Sequence, residues 1–111
     1  LEYATPYELL VAVTLSAQAT DVGVNKATRR LFPVANTPQA IASLGVEGLA
    51  PYIANVNFNR TKGANVVAMA HQLIELHGGE VPRDRASLEA LPGVGRKTAN
   101  VVLNTAFAEP A

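Results

Sequence analysis

The chain has 111 residues, nine Lys or Arg against nine Asp or Glu, and no cysteine. That length suits one domain with a real core, the balanced charge excludes a global field drawing the protein onto a polyanion, and the missing thiols exclude disulfides and thiolate metal sites, as suits a reducing compartment. Apolar residues make up 49% and aromatic ones only 5%. The core is therefore expected to be aliphatic, no apolar run approaches the roughly 18 residues a membrane span needs, and no signal-peptide pattern opens the chain.

Helix signals recur at short intervals. Thr5-Pro6-Tyr7-Glu8 is a capping box with proline at the first helical position, followed by Leu9, Leu10, Val13 and Ala17 at helical spacing. A second helix opens at Thr20 or Asp21 and runs to Phe32, where Pro33 stops it. Thr37-Pro38 opens a third that ends near Gly45, and a shorter fourth follows from Val46 to Ile53. The asparagine density of residues 55–60, "NVNFNR", reads as a loop or turn. Val66, Ala70, Leu73 and Ile74 then mark one face of a long helix that ends at His77-Gly78-Gly79, a strong stop signal. Lys62, early in that helix, reads as an exposed lysine, with a phosphate contact as the alternative. A short helix near Ser87–Leu91 precedes the last one, which carries Val101, Val102, Thr105 and Ala106. No stretch alternates as a strand would. The fold class is all-α, a compact bundle of six or seven short helices without a repeat of fixed period.

"LPGVGRKTAN", residues 91–100, breaks a local rule. A helix start carries partial positive charge, so Arg96 and Lys97 in the first turn have the unfavourable sign, by roughly 0.3–1 kcal/mol each at exposed sites. Gly93 and Gly95 permit positive φ and close approach of another backbone, and the amides of Gly93, Gly95 and Arg96 would point outward as an anion site. A phosphate there would offset the misplaced charge. On spacing alone, a tight helix-helix turn with two surface cations is an equal alternative.

The stretch "LPGVGRKTANVVLNTAF", together with "LLVAVTLSAQATDVGVNKATRRLFP" (residues 9–33) and "GGEVPRDRASLEALPGVG", resembles the bacterial endonuclease III family, DNA glycosylases and abasic-site lyases of the helix-hairpin-helix superfamily. The resemblance implies one six-helix domain over 1–111 with the helix-hairpin-helix at about 87–107. It implies double-stranded DNA with a damaged base or abasic site as partner, and the bacterial cytoplasm, at the nucleoid, as location. Lys97 matches the family's catalytic lysine. In that role its free amine attacks the sugar of an extruded pyrimidine nucleotide, expels the base and leaves a Schiff base that eliminates the 3′ phosphate. The helix end and the desolvation that bound DNA would bring both disfavour the charged form, so the broken rule falls where a functional site would break it.

Gly93, Val94, Gly95, Arg96 and Thr98 would contact DNA around the hairpin. Gln18 matches a residue that fills the space left by the extruded base, which offsets part of the few kcal/mol that extrusion costs; a polar cap at a helix end is its other reading. The family's usual Gly-Leu-Tyr wedge becomes Asn57-Phe58-Asn59 here. Phe58 either inserts between bases or packs into the core. His71, His77, Glu75, Glu80, Asp84 and Glu89 read as structural or solvated, with no metal-ligand spacing.

The family's catalytic aspartate, in a Val-Asp-Thr-His segment beyond the hairpin, and its four-cysteine iron-sulfur cluster are not in these 111 residues. The chain is expected to be part of a longer enzyme, with the remainder of that enzyme as a partner and with no cofactor of its own, and to be severely impaired alone. Two alternatives are a non-catalytic helix-hairpin-helix clamp, and a relative specific for mismatched adenine, against which Lys97 argues because that subfamily usually lacks the lysine. A third, structural one is half of a two-domain enzyme that folds by itself.

Overall fold

A computed structural model describes residues 1–107; the closing Ala-Glu-Pro-Ala of the expected domain lies outside the described residues. Six α-helices follow one another, α1 Pro6–Ser16, α2 Asp21–Leu31, α3 Pro38–Leu49, α4 Asn59–His77, α5 Arg85–Glu89 and α6 Arg96–Ala106, with a 3-10 turn at Ala50–Ile53 between α3 and α4. No strand occurs among the described residues.

Three threonines start the first three helices as the sequence leads one to expect. Thr5 accepts from the Glu8 amide, Thr20 from Gly23 and Thr37 from Ala40, each at 3.1 Å. The return bond of the capping box lands one residue early, because the Glu8 carboxylate accepts from the Ala4 amide at 2.8 Å rather than from Thr5. Its other oxygen takes the Asn36 side chain at 3.1 Å, which lets a carboxylate stay buried on the core side of α1. The third and fourth expected helices meet at Gly45, whose φ of 67° interrupts α3; one further turn leads into the 3-10 segment.

α1 is apolar on every side and buried from Tyr7 to Leu15, as befits a central helix. It packs against α2, α4 and α6, while α3 lies along α4. α4 turns Val66, Val67, Met69, Ala70 and Leu73 inward and stops at Gly78, left-handed at φ 62°, with the Gly79 amide returning to the Leu73 carbonyl at 2.9 Å. The core is aliphatic, centred on Leu10, Leu15, Leu31, Ile41, Leu49, Ile53 and Leu73.

One polar group enters this core against expectation. Lys62 is 6% exposed, not the solvated lysine the sequence suggests. It lies four residues before Val66 and so shares its face. Its Nζ donates to the Leu15 carbonyl at 2.8 Å and to the Ala17 carbonyl. These belong to the last turn and exit of α1, whose negative dipole end has no cation of its own.

Candidate functional site

The site begins with the connection between α5 and α6. Asp84 caps α5 by accepting from the Ser87 amide at 2.8 Å, and this bond holds its carboxyl below the ordinary range. Leu88, Leu91 and Val94 turn their side chains into the core. The Leu91 amide donates to Leu88 and the Val94 amide to Leu91, both at 3.1 Å, so the chain reverses without leaving these groups unpaired. Gln72 of α4 donates to the Ala90 carbonyl at 3.0 Å and ties the hairpin to the bundle.

The two glycines have different tasks. Gly93 is left-handed at φ 78°, and a Cβ there would lie 2.9 Å from Asn65 of α4, so it serves both conformation and close approach. Gly95 has extended φ, −98°, and not the expected positive value; no atom lies within 4 Å of where its Cβ would stand. As the N-cap of α6 it offers no side-chain acceptor, and the first amides of α6 face an open, uncapped end.

Arg96 and Lys97 are exposed on that end, and Thr98 is half-buried beside them. Val94 has its side chain buried and its amide donating to the Leu91 carbonyl, so it anchors the hairpin.

Lys97 and Thr98 line a cleft of about 460 Å³ with Val101, Leu1, Val13, Ser16, Ala17 and Gln18. The turn after α1 therefore delivers Gln18 to the cleft that holds the lysine of α6. Gln18 caps nothing; it lies beyond the helix at φ 55°. Its carbonyl accepts from the Asn57 side chain at 3.0 Å, which joins it to the loop before α4. There Phe58 is left-handed, φ 58°, and 64% exposed, so of its two readings packing into the core is removed. Asn59 donates to the carbonyls of Ala54 and Val56, and Asn55 to that of Gly23. The asparagine run thus stitches this loop to itself and to α2.

The residue that sequence reasoning missed is Lys62. Its position on the stripe that continues through Val66, Ala70 and Leu73 was the available signal. Among the described residues, the cleft lining contains no carboxylate. With no cysteine in the chain, a thiolate-bound cluster does not fit these residues.

The sequence matches the family described as HhH-GPD superfamily base excision DNA repair protein over residues 11–109. It is 63% identical to endonuclease III of Haemophilus influenzae and 62% identical to that of Escherichia coli strain K12, each over 110 residues, 99% of this chain and 52% of the relative. The chain thus spans about half the length of the curated relatives it matches. Among solved structures, that of a trapped covalent intermediate between endonuclease III and DNA superposes with a TM-score of 0.97 at 49% identity, over 100% of this chain and 52% of that one. A thermostable thymine-DNA glycosylase superposes with a TM-score of 0.90 at 26% identity, over 97% of this chain and 50% of that one. A glycine-lined hairpin opening an uncapped helix, an all-α bundle around it, and a family match over nearly the whole sequence agree: the chain belongs to the HhH-GPD superfamily of base excision DNA repair proteins.

Proposed function

We propose that this chain is the lysine-bearing part of a DNA N-glycosylase and abasic-site lyase that removes damaged pyrimidines from double-stranded DNA in the bacterial cytoplasm, at the nucleoid. The observation that carries the reading is the shared cleft: Lys97, on the first turn of an uncapped helix, and Gln18, on a distant turn, line one cavity. The open amides at Gly95 and Arg96 hold a backbone phosphate beside the lesion. Lys97 Nζ, as the free amine, attacks C1′ of the extruded nucleotide, and the base leaves with the glycosidic electron pair. Ring opening gives the Schiff base, and loss of a C2′ proton expels the 3′ phosphate. Gln18 and Phe58 occupy the space the extruded base vacates.

The lysine needs a carboxylate to stabilise positive charge on the sugar and to assist proton transfers. In this reading that group, like the iron-sulfur cluster of the resembling family, belongs to residues outside these 111, and the chain alone is severely impaired. Borohydride trapping on abasic-site DNA tests the assignment. A slow covalent adduct that disappears in Lys97→Ala is expected, and the longer natural protein should trap faster by orders of magnitude. Adduct formation that persists in Lys97→Ala would refute the nucleophile. The two exposed cations Arg96 and Lys97 on the uncapped start of α6 also suit one second reading, a phosphate clamp without chemistry. It expects Lys97→Ala in the longer protein to weaken binding and leave lyase activity intact.

A further inference from the structure

Among the described residues only two non-glycine residues adopt a left-handed backbone, Gln18 and Phe58. Neither is of a type that favours it, and each such residue costs about 1–2 kcal/mol, so both persist only where surrounding structure holds them. These are also the two side chains assigned above to the vacated space in DNA, and they come from different loops. One group touches both loops. Lys62 Nζ donates to Leu15 and Ala17, the residues leading into Gln18, and lies 6.0 Å from the centroid of the Phe58 ring, at the edge of cation–π range. Asn57, next to Phe58, closes the circuit through the Gln18 carbonyl.

We propose that Lys62 is a positioning residue that holds Gln18 and Phe58 together in their left-handed poses, so that both side chains are preorganised to enter DNA at the lesion. The proposal rests on the DNA reading above. Several features support a role beyond filling space. A buried lysine without a carboxylate is costly, its burial lowers its affinity for a proton below that of an ordinary lysine, and an apolar residue would occupy that stripe more cheaply. An ammonium fits both acceptors at once, because it directs several donors from one point.

The test uses the protein at its natural length and a duplex carrying a tetrahydrofuran abasic analogue opposite 2-aminopurine. Lys62→Met should melt cooperatively, bind this duplex about tenfold more weakly and lose the 2-aminopurine emission change. The penalty should vanish when Gln18→Ala and Phe58→Ala are already present, because coupled residues are non-additive. An equal penalty in both backgrounds, or none in either, would overturn the proposal. If Lys62→Met does not fold, Asn57→Ala removes the other tie and should show the same background-dependent loss; a loss independent of background overturns it equally. If the unaltered protein does not prefer the analogue to undamaged duplex, the DNA reading fails on its own. The backbone claim is then decided by the three-bond amide–Hα couplings of Gln18 and Phe58. Left-handed values that survive in Lys62→Gln would overturn it.

Discussion

Two lysines of this chain stand at opposite ends of helices and meet opposite fates. Lys62 reaches the carboxyl end of α1, where carbonyls gather, and is buried with two of them as acceptors. Lys97 opens α6, where amides gather, and is left exposed at an end without a cap. The first has the sign the helix dipole favours and the second has the sign it disfavours. Burial with matched partners marks the structural lysine. Exposure with a mismatched dipole and an open cleft beside it is what the proposed role of Lys97 requires.

The comparison breaks most visibly at Lys62. Lys62→Ala leaves the Leu15 and Ala17 carbonyls without their donor and opens a void where the buried stem lay, a loss of about 2–4 kcal/mol measurable by urea denaturation. The same lysine makes stability depend on alkali. Burial lowers its pKa from the ordinary 10.5, so the unfolded chain holds the proton more tightly. The desolvation penalty is fully present below the folded value and absent above 10.5. Stability relative to Lys62→Met should therefore rise as pH climbs through that window. A flat difference would show that the ammonium pays no penalty where it lies.

The two hairpin glycines sharpen the same contrast. Gly93→Ala places a Cβ 2.9 Å from Asn65 at a φ of 78° and should cost about 1–3 kcal/mol. Gly95→Ala meets nothing within 4 Å and should cost only the poorer N-cap residue, about 0.5 kcal/mol. Equal losses in the two variants would contradict the assignment of Gly93 to the fold and Gly95 to a ligand.

Much of this frame was readable before any coordinates. The three threonine caps, the Gly78 stop and the pairing of Gly93 with Gly95 are local signals, and local chemistry decides them. What escaped the sequence was non-local. Nothing near Lys62 announces carbonyls that arrive from α1, nearly fifty residues earlier. Nothing near Gly95 tells an extended cap from a left-handed turn, since glycine takes both. The buried side chain of Val94 and the exposed ring of Phe58 were equally undecidable, because each depends on which helix packs behind the loop.

A third change acts on the ligand side. Gly95→Asp supplies the N-cap acceptor that α6 lacks, worth a few tenths of a kcal/mol over glycine, and places a carboxylate where a phosphate would rest. The melt should rise slightly while affinity for abasic duplex falls about tenfold, which corresponds to about 1.4 kcal/mol. Affinity that follows stability upward would remove the phosphate from this helix end.

The smallest effect is the most diagnostic, because it runs against the usual direction of mutation. Lys97→Gln keeps helix propensity close to that of lysine and deletes a cation from the positive end of α6, so the free protein should gain about 0.3–1 kcal/mol at low salt. The gain should shrink as ionic strength rises, since the charge is exposed and screened. Lys62→Gln, at the favourable end of α1, should lose stability under the same conditions. Opposite signs from one substitution at two lysines would separate the residue held for the fold from the residue kept at its expense. A loss at Lys97 as well would mean that the helix start is stabilised by a contact of that side chain and is not waiting for an anion.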